Sequence, residues 1–131
     1  MDMQKYEFNC QKALHQGLQY ARSLGHQALE VEHIALAMLR SGYVDLPVGG
    51  KLQKHVESHL SRAPRVIGDF KVVFGSRLNQ ALDQAEGKAK STLVSTNLLW
   101  EELQKQSTLI QNFLARANEE AAERAKRDSA F

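Results

Sequence analysis

Residues 14–39 read LHQGLQYARSLGHQALEVEHIALAML, and residues 78–103 read LNQALDQAEGKAKSTLVSTNLLWEEL. Laid over each other without a gap, at an offset of 64, the stretches share leucine at 14 and 78, glutamine at 16 and 80, and leucine at 18 and 82. They also share alanine at 21 and 85, and leucine at 29 and 93 and again at 39 and 103. Ile34 falls on Leu98 and Leu36 on Trp100. In both stretches apolar residues recur at spacings of three and four, the mark of a helix with one buried face. A repeated unit of this kind cannot bury its apolar face alone and needs its second copy. The expected fold is all-α: two tandem, pseudo-symmetric helical repeats with about seven helices in all. The working surface is expected at the seam between copies, or on a face that both build.

The rest of the composition narrows the class. A chain of 131 residues suits one domain with a real core. With 43% apolar and 24% charged residues, it is not a disordered composition. No stretch approaches the roughly 20 apolar residues that a membrane-spanning helix needs. The N-terminus shows no basic segment followed by an apolar run, so no secretory signal is read there. The lone Cys10 excludes an internal disulfide and fits a reducing compartment, so a cytoplasmic location is expected. Lys51, Lys54, His55, His59, Arg62 and Arg65 cluster against the single Glu57. The cluster reads either as a solvated basic face or as a site for an acidic partner. No aromatic is interleaved for base stacking, so nucleic acid is not expected.

Along the chain, a first helix is expected over about residues 9–24, with Asn9 as its N-cap and Gly25 closing it. Ala13, Leu14, Gly17, Leu18 and Ala21 form its buried stripe. A second helix over about 32–41 carries Ile34, Leu36, Ala37, Met38 and Leu39 around much of its circumference, which marks a central buried helix. Residues 43–50, with Pro47 and the Gly49-Gly50 pair, read as loop, and a third helix follows over about 51–61. Phe70, Val72 and Phe74 suggest a short extended stretch in the connector. The second copy places a helix from about Ser76 to Ala89, then a helix capped by Ser95 or Thr96 with Trp100 in the core, then a short helix holding Leu109–Leu114. Repeat one thus covers about 8–62 and repeat two about 76–117, together one domain over residues 1–118. From 119 to 131 charged residues alternate with alanines and nothing large and apolar appears before Phe131, so this segment reads as the start of a charged linker.

The first copy resembles a known family. Ala13-Leu14, Gly17, Ala21, Gly25-His26, Leu29 and the run Glu32-His33-Ile34-Ala35-Leu36-Ala37-Met38-Leu39 follow the pattern of the Clp N-terminal (Clp-N) repeat, found at the front of Clp/Hsp100 AAA+ unfoldases and disaggregases. The second copy keeps the aliphatic positions and, at the offset of 64, loses Gly-His to Ala89-Lys90 and Glu-His to Thr96-Asn97. The resemblance covers about residues 8–117, and the family is itself a tandem duplication. Val31 stands where relatives often carry a helix-capping Thr or Ser. After Gly42 the first copy lacks the small helix that the second keeps at Leu109–Leu114.

Enzymatic signatures are missing: the chain has no G-x-x-x-x-G-K-[ST] phosphate loop, no G-x-S-x-G, no H-E-x-x-H and no C-x-x-C. No catalytic residue, cofactor or metal is expected. His26, Glu32 and His33 lie near one another, but without cysteine they read as groups that fix the loop by hydrogen bonds rather than as zinc ligands. The resemblance implies a non-catalytic module that binds unfolded or aggregated polypeptides, or an adaptor protein, and presents cargo to the AAA+ ring of the same polypeptide. Motif matched to motif, the implied protein- or peptide-binding positions are Ala81, Ala85 and Leu98. Two alternatives stand beside this. One is a free-standing Clp-N-like regulator or tether of a Clp protease; the other is a small metal-binding protein or enzyme on the same helical repeat.

Overall fold

The computed structural model describes residues 2–129, and its helices follow the apolar stripes. They are α1 (Phe8–Ser23), α2 (Val31–Arg40), α3 (Gly49–Arg62), α4 (Ser76–Ala89), α5 (Thr96–Lys105) and α6 (Thr108–Ser129), with a 3-10 turn at Met3–Lys5. The fold is all-α apart from two short strands, β1 (Ala28–Leu29) and β2 (Val73–Phe74). No helix among the described residues is long and apolar enough to cross a membrane. Helices α1 and α2 pack as one hairpin and α4 and α5 as the other, with α2 against α5 at the centre. Helix α3 covers α2, and α6 covers α5 and touches α3. Every residue of α2 from Val31 to Leu39 is buried, as expected of a central helix.

The connector supplies the link that ties the copies together. Ala28 and Leu29 pair in parallel with Val73 and Phe74. Tyr6 pairs in parallel with Val94. Each copy therefore lends the strand before its first helix to the loop after the other copy's first helix. The hydrogen bonds match: Gly75 N–H donates to the Leu29 carbonyl at 2.9 Å, and Glu7 N–H donates to the Val94 carbonyl at 3.0 Å.

These pairings correct the gapless register of 64. Glu7 corresponds to Gly75, an offset of 68, because each precedes its helix and makes the same bond. The buried sets agree: Cys10, Ala13, Leu14, Gly17 and Ala21 on α1 map at 68 onto Leu78, Ala81, Leu82, Ala85 and Ala89 on α4. In the second helices the N-caps Glu30 and Ser95 set an offset of 65. Ile34 then corresponds to Leu99 and Leu29 to Val94, while Leu93 points to solvent. From the start of its first helix to the start of its second, the first copy is three residues longer: two at the end of α1 and one in the connection, which contains His26. A slip of one turn moves every residue of an i, i+4 stripe onto another member of the same stripe, so 64 and 68 look alike in sequence.

Other expectations shift by smaller amounts. Glu7, not Asn9, occupies the N-cap of α1 and makes no side-chain cap. The Gly49-Gly50 pair opens α3 instead of ending a loop. Gly25 does adopt the left-handed conformation expected after α1, at φ 73°. The first copy does not lack a third helix, since α3 covers α2 as α6 covers α5. Finally, the helix expected over Leu109–Leu114 does not stop there: α6 runs on through the expected linker to Ser129. Residues 130 and 131 of that linker lie outside the described residues.

Candidate functional site

The implied binding positions separate. Ala81 and Ala85 are fully buried on the core face of α4 and offer a partner no surface. Their methyl groups face inward because they belong to the stripe that packs the hairpin. Leu98 is half-buried at the edge of the core and remains reachable. Ser95, the N-cap of α5, holds this turn by accepting the Leu98 N–H at 3.1 Å.

The seam between copies is polar on one side. Arg77, at the start of α4, donates to Glu32 at 2.7 Å, to Glu30 at 3.0 Å and to the Gln106 carbonyl at 3.0 Å. Glu32 sits in the first turn of α2, where the helix dipole favours a carboxylate. Beside this clamp the Glu30 N–H donates to His33 Nδ1 at 2.9 Å. That bond makes Nδ1 an acceptor, so the proton of neutral His33 is on Nε2. His33 Nε2 then donates to His26 Nδ1 at 2.8 Å. The expectation that these histidines fix the loop therefore holds for His33, through the main chain, and for His26 through His33. His26 Nε2 is buried without a hydrogen-bond partner among the described residues.

The electrostatics agree with neutral rings. Burial, and then the neighbouring His26, hold the His33 imidazole down at about 4, against 6.5 for a free histidine. Burial and then Arg65 also lower His26, against the opposing pull of the Leu60 main chain. The two rings line a cavity of about 250 Å³ with Glu30, Glu32, His59 and Arg77. Among the described residues no group of His, Cys, Asp and Glu side chains could hold a metal ion. Cys10 is buried, donates to the Val94 carbonyl at 3.4 Å, and its thiol is pushed up to about 12 by burial and then by Glu7.

The opposite edge of the seam carries two exposed large apolar side chains, with Lys12 Nζ over the Phe8 ring at 4.7 Å. Phe8, at the first position of α1, is 68% exposed, and Leu93, beside Val94, is 54% exposed. Both flank the Tyr6–Val94 bridge, and Phe8 lines a shallow cleft with Asn9 and Thr96. The bridge is anchored: Tyr6 Oη donates to Glu86 at 2.8 Å, and burial, then this bond, raises the phenol above its ordinary range. Sequence reading missed this pair. Leu93 was aligned with Leu29 at the wrong register, and Phe8 precedes the first stripe.

A second carboxylate was also unforeseen. Glu102 is 2% exposed on α5, where Ala37 stands in the first copy. Burial opposes its ionisation, but hydrogen bonds from Lys88 and Lys105 outweigh it and keep the carboxyl below its ordinary range. The Lys88 contact ties α4 to α5, and the Lys105 contact lies within α5.

Comparison with known proteins agrees with this geometry. No curated protein matches the chain. A solved chain from a study entitled "Preliminary structural investigations of a malarial protein secretion system" shares the fold at a TM-score of 0.70. Its sequence is 23% identical, and the match covers 86% of this chain and 84% of that one. Residues 5–98 match the profile of the Clp repeat (R) N-terminal domain. That span holds α1 to α4 and both crossed strand pairings. The chain belongs to the Clp repeat N-terminal domain family.

Proposed function

We propose that the chain is the substrate- or adaptor-binding N-terminal module of an ATP-dependent Clp/Hsp100 chaperone, and that it is not itself catalytic. Family membership supports the class, and one structural observation carries the site: Phe8 and Leu93 stand exposed on either side of the Tyr6–Val94 bridge. Large apolar side chains held open on a rigid seam suit capture of apolar segments. Covering each gains about 1.5–3 kcal/mol, and association costs consume much of that. Capture is therefore weak and readily reversed, as delivery to a motor requires. Cargo passes to an AAA+ ring in the same polypeptide.

The test is a titration of the chain against a chemically unfolded, fluorescently labelled polypeptide. Saturable binding in the range of about 10 μM to 1 mM is expected. Phe8→Ser and Leu93→Ser should each weaken it several-fold, with thermal stability unchanged. Binding that ignores both substitutions overturns the site; no binding at all overturns client capture. The coding sequence after codon 131 decides the parent: an ATPase phosphate loop supports it, and its absence shifts the reading to a free-standing regulator.

A further inference from the structure

A second surface, sharing no residue with the Phe8–Leu93 edge, is built where α6 passes α3. Here α6 presents positions 113, 116, 117, 120, 121 and 124, which fall on one helix face. Across from them α3 presents Lys51 and His55. The groove between has a volume of about 480 Å³. Its floor is apolar: Phe113 at one end, under the tilted ring of His55 at 5.0 Å, then Ala117 and Ala121. From Phe113 to Arg124 the floor runs three helical turns, ~16 Å at 1.5 Å per residue. That length takes about five residues of extended peptide, or about three turns of a helix.

The rim is cationic and its charges are unspent. The side chains of Lys51, Arg116 and Arg124 make no ion pair or hydrogen bond among the described residues. Only Glu120 opposes them within the groove. Helix α3 brings no relief, because its single carboxylate, Glu57, is held by Arg40 at 3.0 Å and by Gln53 at 3.0 Å. Lys54 adds a further cation on α3. Lys51 and His55, two members of the basic cluster legible in the sequence, thus face α6 arginines that lie far away along the chain.

We propose that the α3–α6 groove binds a short acidic peptide segment, an apolar side chain of which seats over Ala117 and Ala121 while its carboxylates pair with Lys51, Arg116 and Arg124. The ligand must answer both an apolar floor and a cationic rim. An acidic peptide does both. A nucleic acid leaves the floor unused, and the groove's one large aromatic, Phe113, is already covered by His55, so no platform for base stacking remains. The alanines give the close approach that a bulkier floor would deny. This surface does not depend on client capture at Phe8 and Leu93, and each can fail without the other.

The test uses the 131-residue chain and a fluorescein-labelled peptide of about 12 residues, rich in glutamate and aspartate, with two leucines four positions apart. Three competitors accompany it: the same peptide with glutamine and asparagine for its acids, a single-stranded oligonucleotide of similar charge, and vesicles of anionic phospholipid. Saturable binding of the acidic peptide is expected at about 0.15 M salt, with the amide version at least about tenfold weaker. Charge reversal by Arg116→Glu with Arg124→Glu should weaken binding at least about tenfold and leave the melting temperature unchanged, since both side chains are exposed. Ala121→Gln, which fills the floor and keeps every cation, should weaken it comparably. Amide protection over residues 113–124 should rise on binding. Equal or tighter binding of the oligonucleotide or the vesicles overturns the proposal. So does indifference to either variant, absence of binding at about 1 mM peptide, or self-association of the chain that the peptide does not displace.

Discussion

Arg77, on the first turn of the second repeat, donates to Glu32 of the first repeat at 2.7 Å, and the two ends of this bond live in different solvents. Glu32 is 3% exposed at its side chain and Arg77 is 42% exposed. The carboxylate has given up water and relies on the guanidinium in return. Truncating the arginine leaves a buried charge unpaired, which is costlier than losing a surface ion pair. Arg77→Ala should destabilise the domain by about 2 kcal/mol, a figure reduced from the fully buried case because the arginine stays partly wet. Glu32→Gln in the Arg77→Ala background should recover part of that loss. A double-mutant cycle from urea denaturation checks both statements.

The histidine pair makes stability depend on pH. In the folded chain His33 titrates near 4, and in the unfolded chain near 6.5. Between these values the unfolded state binds a proton that the folded state refuses. Stability is thus full above about pH 6.5 and falls as pH drops, losing about 3 kcal/mol by pH 4. Protonation also puts a hydrogen on Nδ1, where the Glu30 N–H already points. His33→Gln can accept from Glu30 and donate to His26 without titrating. Urea midpoints measured from pH 7.5 down to 4.5 should slope steeply in the wild type and much less in this variant.

At Gly17, α1 crosses closely over α2. A methyl group there would meet Ile34 Cδ1 well inside van der Waals contact and lie 3.3 Å from the His33 carbonyl oxygen. Its counterpart at the offset of 68, Ala85, carries that methyl group in the second copy. Gly17→Ala should cost about 1–3 kcal/mol through overpacking, in spite of its better helix propensity. Adding Ile34→Val should restore part of the loss, because it removes the atom that clashes. Thermal melts of the single and double variants measure this.

Leu98 and Ile34 separate surface from core. Ile34 is fully buried, whereas Leu98 only borders the core. Ile34→Ser should destabilise by about 4 kcal/mol, from a cavity and a poorly satisfied hydroxyl. Leu98→Ser should cost about 1 kcal/mol and leave a folded chain in which polypeptide capture can be measured. Chemical denaturation of the two variants side by side is the check.

The sequence by itself determined the helices, the duplication and the family, because periodic apolar stripes and the Gly25-His26 to Leu39 run are local features. It also showed the basic cluster on α3 and the buried character of α2. Only tertiary structure decided how the copies correspond. A stripe of period 3.6 is unchanged in kind by a one-turn slip, so residues alone did not separate 64 from 68; the crossed pairings of Leu29 with Phe74 and Tyr6 with Val94 did. That decision matched Leu29 with Val94 in place of Leu93, left Leu93 in solvent, and set Phe8 and Leu93 beside one bridge. The same holds for charge. Lys51 and Arg124 are 73 positions apart in the chain, and only the passage of α6 beside α3 sets them on one groove. Arg77 met Glu32 for the same reason: a salt bridge between repeats is set by where two helix ends arrive, and local sequence does not encode that.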